Sequence, residues 1–326
     1  MGSGEFYTTD GSGNISLLKS HTGWRQSWKQ IVPGTFGGNT YTDLLFYDAM
    51  AGDGEFYTTD GTGNISLLKK HAGWWRKTWK QIIPGNFGGS DYTDLLFYDP
   101  TTGEGEFYAT DGNGNISPLK KLAGWRKSWK LIVPGNFGGS DYTDLLFYDP
   151  TTGEGEFYAT DGSGNISPLK KLTGWRKTWE LIIPGNFGGS DYTDLLFYDP
   201  TTGEGEFYTT DGNGNISLLK KHTGWRKTWK EIVPGTFGGN TYTDLLFYDA
   251  TVGEGEFYTT DGNGNISLLK KYTGWRQSWQ SILPGTFGGN IYTDLLFYES
   301  VIAPEAPTTG KTELNESNVT LQRRLA

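Results

Sequence analysis

The sequence predicts an all-β fold, a six-bladed β-propeller with four antiparallel strands per blade, on three observations. A block running from Gly4-Glu5-Phe6-Tyr7 through Trp24, Trp28 and Pro33 to Asp43-Leu44-Leu45-Phe46-Tyr47 recurs six times at spacings of 50 or 51 residues. A period in that range marks solenoids, propellers or arrays. Each copy divides into four short extended runs separated by turn residues, the signature of a propeller blade. No copy offers ten or more residues of helical periodicity free of Gly and Pro.

The copies register residue by residue. Glu5, Glu55, Glu106, Glu156, Glu206 and Glu256 open the same Glu-Phe-Tyr step, and Asp43, Asp94, Asp144, Asp194, Asp244 and Asp294 open the same Asp-Leu-Leu-Phe-Tyr step. The second unit carries one inserted residue, because Gly73-Trp74-Trp75-Arg76 stands where the first has Gly23-Trp24-Arg25; Trp75 is the counterpart of Trp24.

Taken in order, the run Thr42 to Tyr47 reads as the innermost strand, and its equivalent in the second unit is followed by the hairpin turn Asp99-Pro100-Thr101-Thr102-Gly103. Glu5 to Thr9 reads as the second strand and reaches Asp10-Gly11-Ser12-Gly13-Asn14, whose glycines allow positive φ between strands. Ile15 to Lys19 is the third. Trp28 to Val32, stopped by Pro33-Gly34, is the fourth. Two-sided burial between neighbouring blades explains why Leu44-Leu45-Phe46-Tyr47 and Ile31-Val32 are apolar without strict alternation.

The repeats begin and end out of phase with a blade, so the last run, Thr293 to Tyr298, is expected to pair with Glu5 to Asp10 in a closing blade shared by both chain ends. Closure hides the apolar faces that an open array must cap with polar repeats. Residues 1–298 are thus expected to form the propeller and 299–326 a disordered polar tail.

Bulk composition narrows the function. Lys plus Arg number 28 against 37 Asp plus Glu, a net charge of −9 that argues against a nucleic-acid groove. Cysteine is absent, which excludes disulfides and thiolate metal sites. An apolar fraction of 35% is offset by 15% aromatics, including 13 Trp, large enough to fill a core with few residues. No run of 18 apolar residues exists and Met1 leads straight into Gly2-Ser3-Gly4, so neither a membrane span nor a signal peptide is expected.

His occurs only at 21, 71 and 222, with Leu122, Leu172 and Tyr272 at matching positions, so no differentiated catalytic constellation stands out and the chain is expected not to be an enzyme. Asp43 and its counterparts, if they begin the innermost strands, would ring the mouth of a central channel as a candidate cation trap; the alternative is that each accepts hydrogen bonds from loop amides. The Asp111-Gly112-Asn113-Gly114-Asn115 turns lack the later bidentate acid of a calcium loop and read as hairpins. No metal and no cofactor is assigned.

The motif Gly-Trp-Arg-x-x-Trp is the strongest ligand signal. It supplies Trp24 and Arg25, Trp75 and Arg76, Trp125 and Arg126, Trp175 and Arg176, Trp225 and Arg226, and Trp275 and Arg276 as candidate ligand-binding residues. A flat indole stacks on the C–H face of a sugar ring, and a guanidinium offers several fixed donors to hydroxyl oxygens. Trp28 and its equivalents open apolar strands and read as wedges between blades, while Arg25 also has Glu5 or Asp48 as candidate ion-pair partners.

The phrase Pro84-Gly-Asn-Phe-Gly-Gly-Ser-Asp-Tyr-Thr-Asp-Leu-Leu-Phe-Tyr-Asp99 resembles the bacterial FG-GAP and VCBS-type propeller repeats, over essentially residues 4–298. The resemblance implies the fold. In that family the loop before the innermost strand binds calcium through several Asp, but here those places hold Asn86, Gly88, Ser90 and Asp91, or Thr35, Gly37, Asn39 and Thr40. A hard cation needs about six oxygen ligands, so the metal does not carry over. The aromatic-rich blades are also similar to bacterial propeller lectins of the Photorhabdus lectin type, fucose-binding propellers that hold sugar between blades.

The expectation is therefore a monomeric ring that binds carbohydrate, fucosylated or similar glycans, at repeated equivalent sites, and is secreted or displayed at the cell surface if it is a lectin. The competing reading is a protein-interaction or purely structural propeller, amplified by duplication or engineering, without a small ligand.

Overall fold

Turn chemistry cuts each repeat into strands. In the first complete blade the computed structural model, which describes residues 1–300, places β3 (Trp28–Gly34), β4 (Asp43–Asp48), β5 (Asp53–Thr59) and β6 (Ile65–His71) as antiparallel neighbours in chain order. The β4–β5 turn is held by Asp48, whose Oδ1 accepts the amides of Met50 and Ala51 at 2.9 and 3.0 Å. The β5–β6 turn is held by Asp60, whose Oδ1 accepts the amides of Thr62 and Asn64 at 2.9 and 3.2 Å. Twenty-four strands repeat this pattern as six four-stranded sheets.

The closing blade follows the predicted pairing. β1 (Gly2–Thr9) lies against β24 (Asp294–Glu299) from Ser3↔Glu299 to Tyr7↔Leu295, and the sheet is completed by β2 (Ile15–Trp24) outside β1 and β23 (Ser281–Gly285) inside β24. Each chain end thus contributes two strands. The tail expected from 299 onward falls, from residue 301, outside the described residues.

The radial order of strands differs from the sequence reading. Blades meet one another through β3 and its equivalents: Gln30 Nε2 donates to Ile82 O at 2.8 Å, and the Ile82 amide donates to Gln30 Oε1 at 3.0 Å. The Ile-Val-Pro-Gly strand is therefore innermost, Asp-Leu-Leu-Phe-Tyr second, Glu-Phe-Tyr third and Ile-Ser-Leu-Leu-Lys outermost. The physical reason is burial on both faces. All six residues of β4 are buried, as befits a strand flanked by two others and sandwiched between two neighbouring blades. β3 carries Pro33, which cannot donate to a ladder and belongs on an edge.

Two consequences follow for sites. The segment between β2 and β3 crosses from the outermost strand of one blade to the innermost strand of the next, so the Gly-Trp-Arg-x-x-Trp motif sits at a blade junction. The ring of Asp43 residues at a channel mouth is also corrected, because Asp43 sits on the second strand and is fully buried. Its Oδ2 accepts the amides of Phe36 and Gly37 at 3.0 and 2.6 Å, and its Oδ1 accepts the Thr59 amide at 3.1 Å. Burial pushes this carboxyl above its ordinary pKa against the pull of those three amides.

The core lies between blades. Trp28 packs with Ile31, Leu44 and Phe46 of its own blade and with Phe6, Leu296 and Tyr298 of the closing blade. It and its five equivalents are 4–7% exposed, the wedges expected from sequence. Among the described residues no helix is long and apolar enough to cross a membrane.

Candidate functional site

At each junction the crossing segment folds over a cleft between blades. Trp24 ends β2 and lies flat on β1, so close that a Cβ added at Gly4 would stand 2.3 Å from its ring. Its edge meets Phe46 of the next blade at 5.0 Å between centroids and 89° between planes. The Tyr298 hydroxyl donates to Arg25 O at 3.0 Å and fixes the turn that follows.

Arg25 then reaches across the junction. Its guanidinium lies 4.6 Å from the centroid of the Trp28 ring, a half-buried cation–π contact. Nη1 donates to Asp53 at 3.0 Å and stands 3.7 Å from Asp48, and Nη2 donates to Glu55. Glu55 is buried, and its other oxygen accepts the Tyr57 hydroxyl at 2.7 Å. Burial, then the bond to the carboxylate, pushes the Tyr57 phenol well above its ordinary pKa; the equivalent Tyr108 is pushed up to about 12 by the same causes. Both tyrosines therefore stay neutral.

The result is a cleft of about 260 Å³ lined by Gly23, Trp24, Arg25, Trp28, Phe46, Glu55, Tyr57 and Ile65. Equivalent clefts of about 240, 220, 190 and 230 Å³ surround Arg76, Arg126, Arg176 and Arg226. At the sixth junction Arg276 pairs with Glu5 at 2.5 Å, and the Tyr7 hydroxyl donates to Glu5 at 2.6 Å, so the two chain ends assemble the same set. One wall is aromatic and the other is a guanidinium–carboxylate–phenol network. These volumes are below the ~300 Å³ at which drug-sized pockets begin.

The structure brings the predicted Trp and Arg of every unit together. It corrects the predicted ion pairs in one respect: Arg25 meets Asp48 as expected but not Glu5, which pairs with Arg276, because the crossing segment serves the blade ahead of it. Four cleft residues, Phe46, Glu55, Tyr57 and Ile65, were not identified from sequence. The signal for two of them was present, since Glu and Tyr two apart on a strand share a face, while the intervening Phe56 points into the core. The histidines are structural struts: Nε2 of His21, His71 and His222 sits 2.7, 2.9 and 2.7 Å from the carbonyl oxygens of Gly63, Gly114 and Gly264 on adjacent blades.

No protein-family model matches the chain, and no curated protein matches it. Among solved structures it is similar to a candidate 6-phosphogluconolactonase of Bacteroides fragilis over 84% of this chain and 78% of that one, at 11% identity and a TM-score of 0.50. A protein from Lactobacillus plantarum is similar over 72% and 69%, at 11% identity and a TM-score of 0.47. The likeness to the first is one of fold. The expectation that this chain is not an enzyme is nevertheless corrected, because a chain of this fold bears an enzyme's name. Repeated, undifferentiated clefts on such a scaffold do not exclude catalysis.

Proposed function

We propose that the protein is a multivalent carbohydrate-binding propeller whose sites are the clefts at the blade junctions. One observation carries this reading: in the cleft around Arg25 the half-buried Trp24 ring stands beside an ordered set of hydrogen-bonding groups on Arg25 and Glu55. A pyranose presents an apolar C–H face and a rim of hydroxyls, the complement of such a wall pair. The ion pairs hold Arg25 in place before a ligand arrives, which lowers the ordering cost of binding. Weak single sites, repeated around a ring, gain avidity at a surface crowded with glycans.

The similarity to fucose-binding propellers makes L-fucose and fucosylated glycans the first ligands to try. A glycan array on the intact chain, followed by calorimetry with the best monosaccharide, tests the reading. A stoichiometry well above one per chain is expected, falling stepwise as Trp125→Ala, Trp175→Ala and Trp225→Ala are combined. A folded protein that binds no sugar on the array rules it out.

A further inference from the structure

The junction around Arg76 differs from the others by the inserted Trp74. At four other junctions the cleft rim at this place is a glycine, Gly23, Gly124, Gly174 or Gly224, and a Cβ built there meets nothing within 4 Å. Here Trp74 stands in the rim, 61% exposed and lining the cleft. It is held there, not loosely displayed. The amides of Trp74 and Trp75 both donate to Gly52 O at 3.1 and 3.0 Å, the Gly73 amide donates to Asp53 Oδ1 at 2.8 Å, and the Trp74 ring lies 5.4 Å from that of His71.

The neighbouring indole also meets its own strand differently. At Gly4, Gly105 and Gly155 the ring edge nearest the backbone is Cη2–Cζ3 of Trp24, Trp125 and Trp175, whereas at Gly54 it is Cζ2–Cη2–Cε2 of Trp75. The Nε1 of Trp75 is the one buried side-chain nitrogen or oxygen among the described residues without a hydrogen-bond partner, and the residue is only 5% exposed. In this cleft Trp75 is buried, and the exposed aromatic face at the mouth is that of Trp74.

Resting on the carbohydrate reading above, we infer that the Trp74 junction is an extended subsite that takes a disaccharide, the first pyranose within the cleft and the second stacked on Trp74, while the other junctions take a single ring. Trp74 is a specificity-determining residue of this one site. A stacked aromatic contact of ~0.5–1.5 kcal/mol corresponds to about two- to tenfold in affinity for the longer ligand.

Calorimetry of the intact chain and of Trp74→Ala, with methyl α-L-fucoside and with the disaccharide Fucα1-2Gal, tests this. The wild-type chain is expected to bind the disaccharide in two classes, one site per chain about two- to tenfold tighter than the rest, and the monosaccharide in one class. Trp74→Ala should merge the disaccharide classes; Trp74→Tyr should keep both classes. A single disaccharide class in the wild-type chain, or two classes that persist in Trp74→Ala, overturns the inference and leaves the general sugar reading standing. Absence of heat with both ligands overturns the inference, and the general sugar reading falls with it only if the array is also empty.

Discussion

At the scale of single residues, the junction network predicts which side chains matter for stability as well as for ligand. Arg126 stands 3.6 Å from Asp149, pairs with Glu154 and Glu156, and lies 4.7 Å from the centroid of the Trp129 ring. Arg126→Ala strips Glu156 of its closest cation and leaves only Lys171 at 3.4 Å, so a loss of about 1–3 kcal/mol in denaturant unfolding is expected. Arg126→Lys keeps the charge but not the planar fork or the stacking, and should recover about half of it. A second residue breaks the repeat's symmetry: Glu231 stands where Gln30 and Gln81 stand in two other units, and its Oε2 accepts the Ile282 amide at 2.8 Å. Burial pushes its carboxyl up to about 7. A folded-state pKa raised above the unfolded value gives stability that is present below about 4.5 and lost as pH rises through about 7. Glu231→Gln, which keeps the acceptor, should therefore raise stability by about 1–3 kcal/mol at pH 8 and change it little at pH 4; equal effects at both pH values would contradict the assignment. The Trp–Arg pair was legible from sequence because it is contiguous. Glu55 and Tyr57 were not, because they belong to the blade ahead and meet Arg25 only once the crossing segment is placed.

At the scale of elements, the number of strands, their antiparallel order along the chain and both sets of turns were legible, since Asp and Gly at fixed offsets dictate them. The radial order was not. Asp-Leu-Leu-Phe-Tyr reads as innermost in the sequence, whereas its deep burial belongs to the second strand, and the prolines are the better guide: Pro33 marks the inner edge, and Pro118 and Pro168 lie on outermost strands. The turns make a graded prediction. Gly153 has φ 72° and a Cβ there would stand 2.5 Å from Trp175 O, which would also disturb the bond from the Trp175 amide to Gly153 O. Gly174, beside Trp175 in the crossing segment, has φ 79° with open space around its missing Cβ. Gly174→Ala should cost about 1–2 kcal/mol, the backbone term alone. Gly153→Ala adds a steric collision with main chain and is expected to cost clearly more, about 3 kcal/mol or above, with paired thermal melts as the measurement.

At the scale of the whole molecule, the ring depends on a sheet made from both ends of the chain, and this was readable from the phase of the repeats. The physical content of that closure is specific. β1 supplies the Ser3-to-Tyr7 ladder to β24, Phe6 packs edge-on to Phe287 at 5.0 Å, and the Ser3 hydroxyl donates to Glu299 at 2.9 Å. Removing residues 1–13 would expose the edge of β24 and the buried faces of Phe287, Leu296 and Tyr298 together, leaving a two-stranded remnant of the blade with an unpaired ladder. Cooperative unfolding is then expected to give way to a broad transition at lower temperature, with self-association through the open edge. A synthetic peptide spanning Met1–Gly13 should restore the sharp transition by adding its strand back to β24, and a peptide with Phe6→Asp should fail to do so. An unchanged melt after the deletion would mean that the ends do not hold the ring closed. In that case the sixth junction, built from Arg276 and Glu5, would lack the rigidity on which its equivalence to the other five depends.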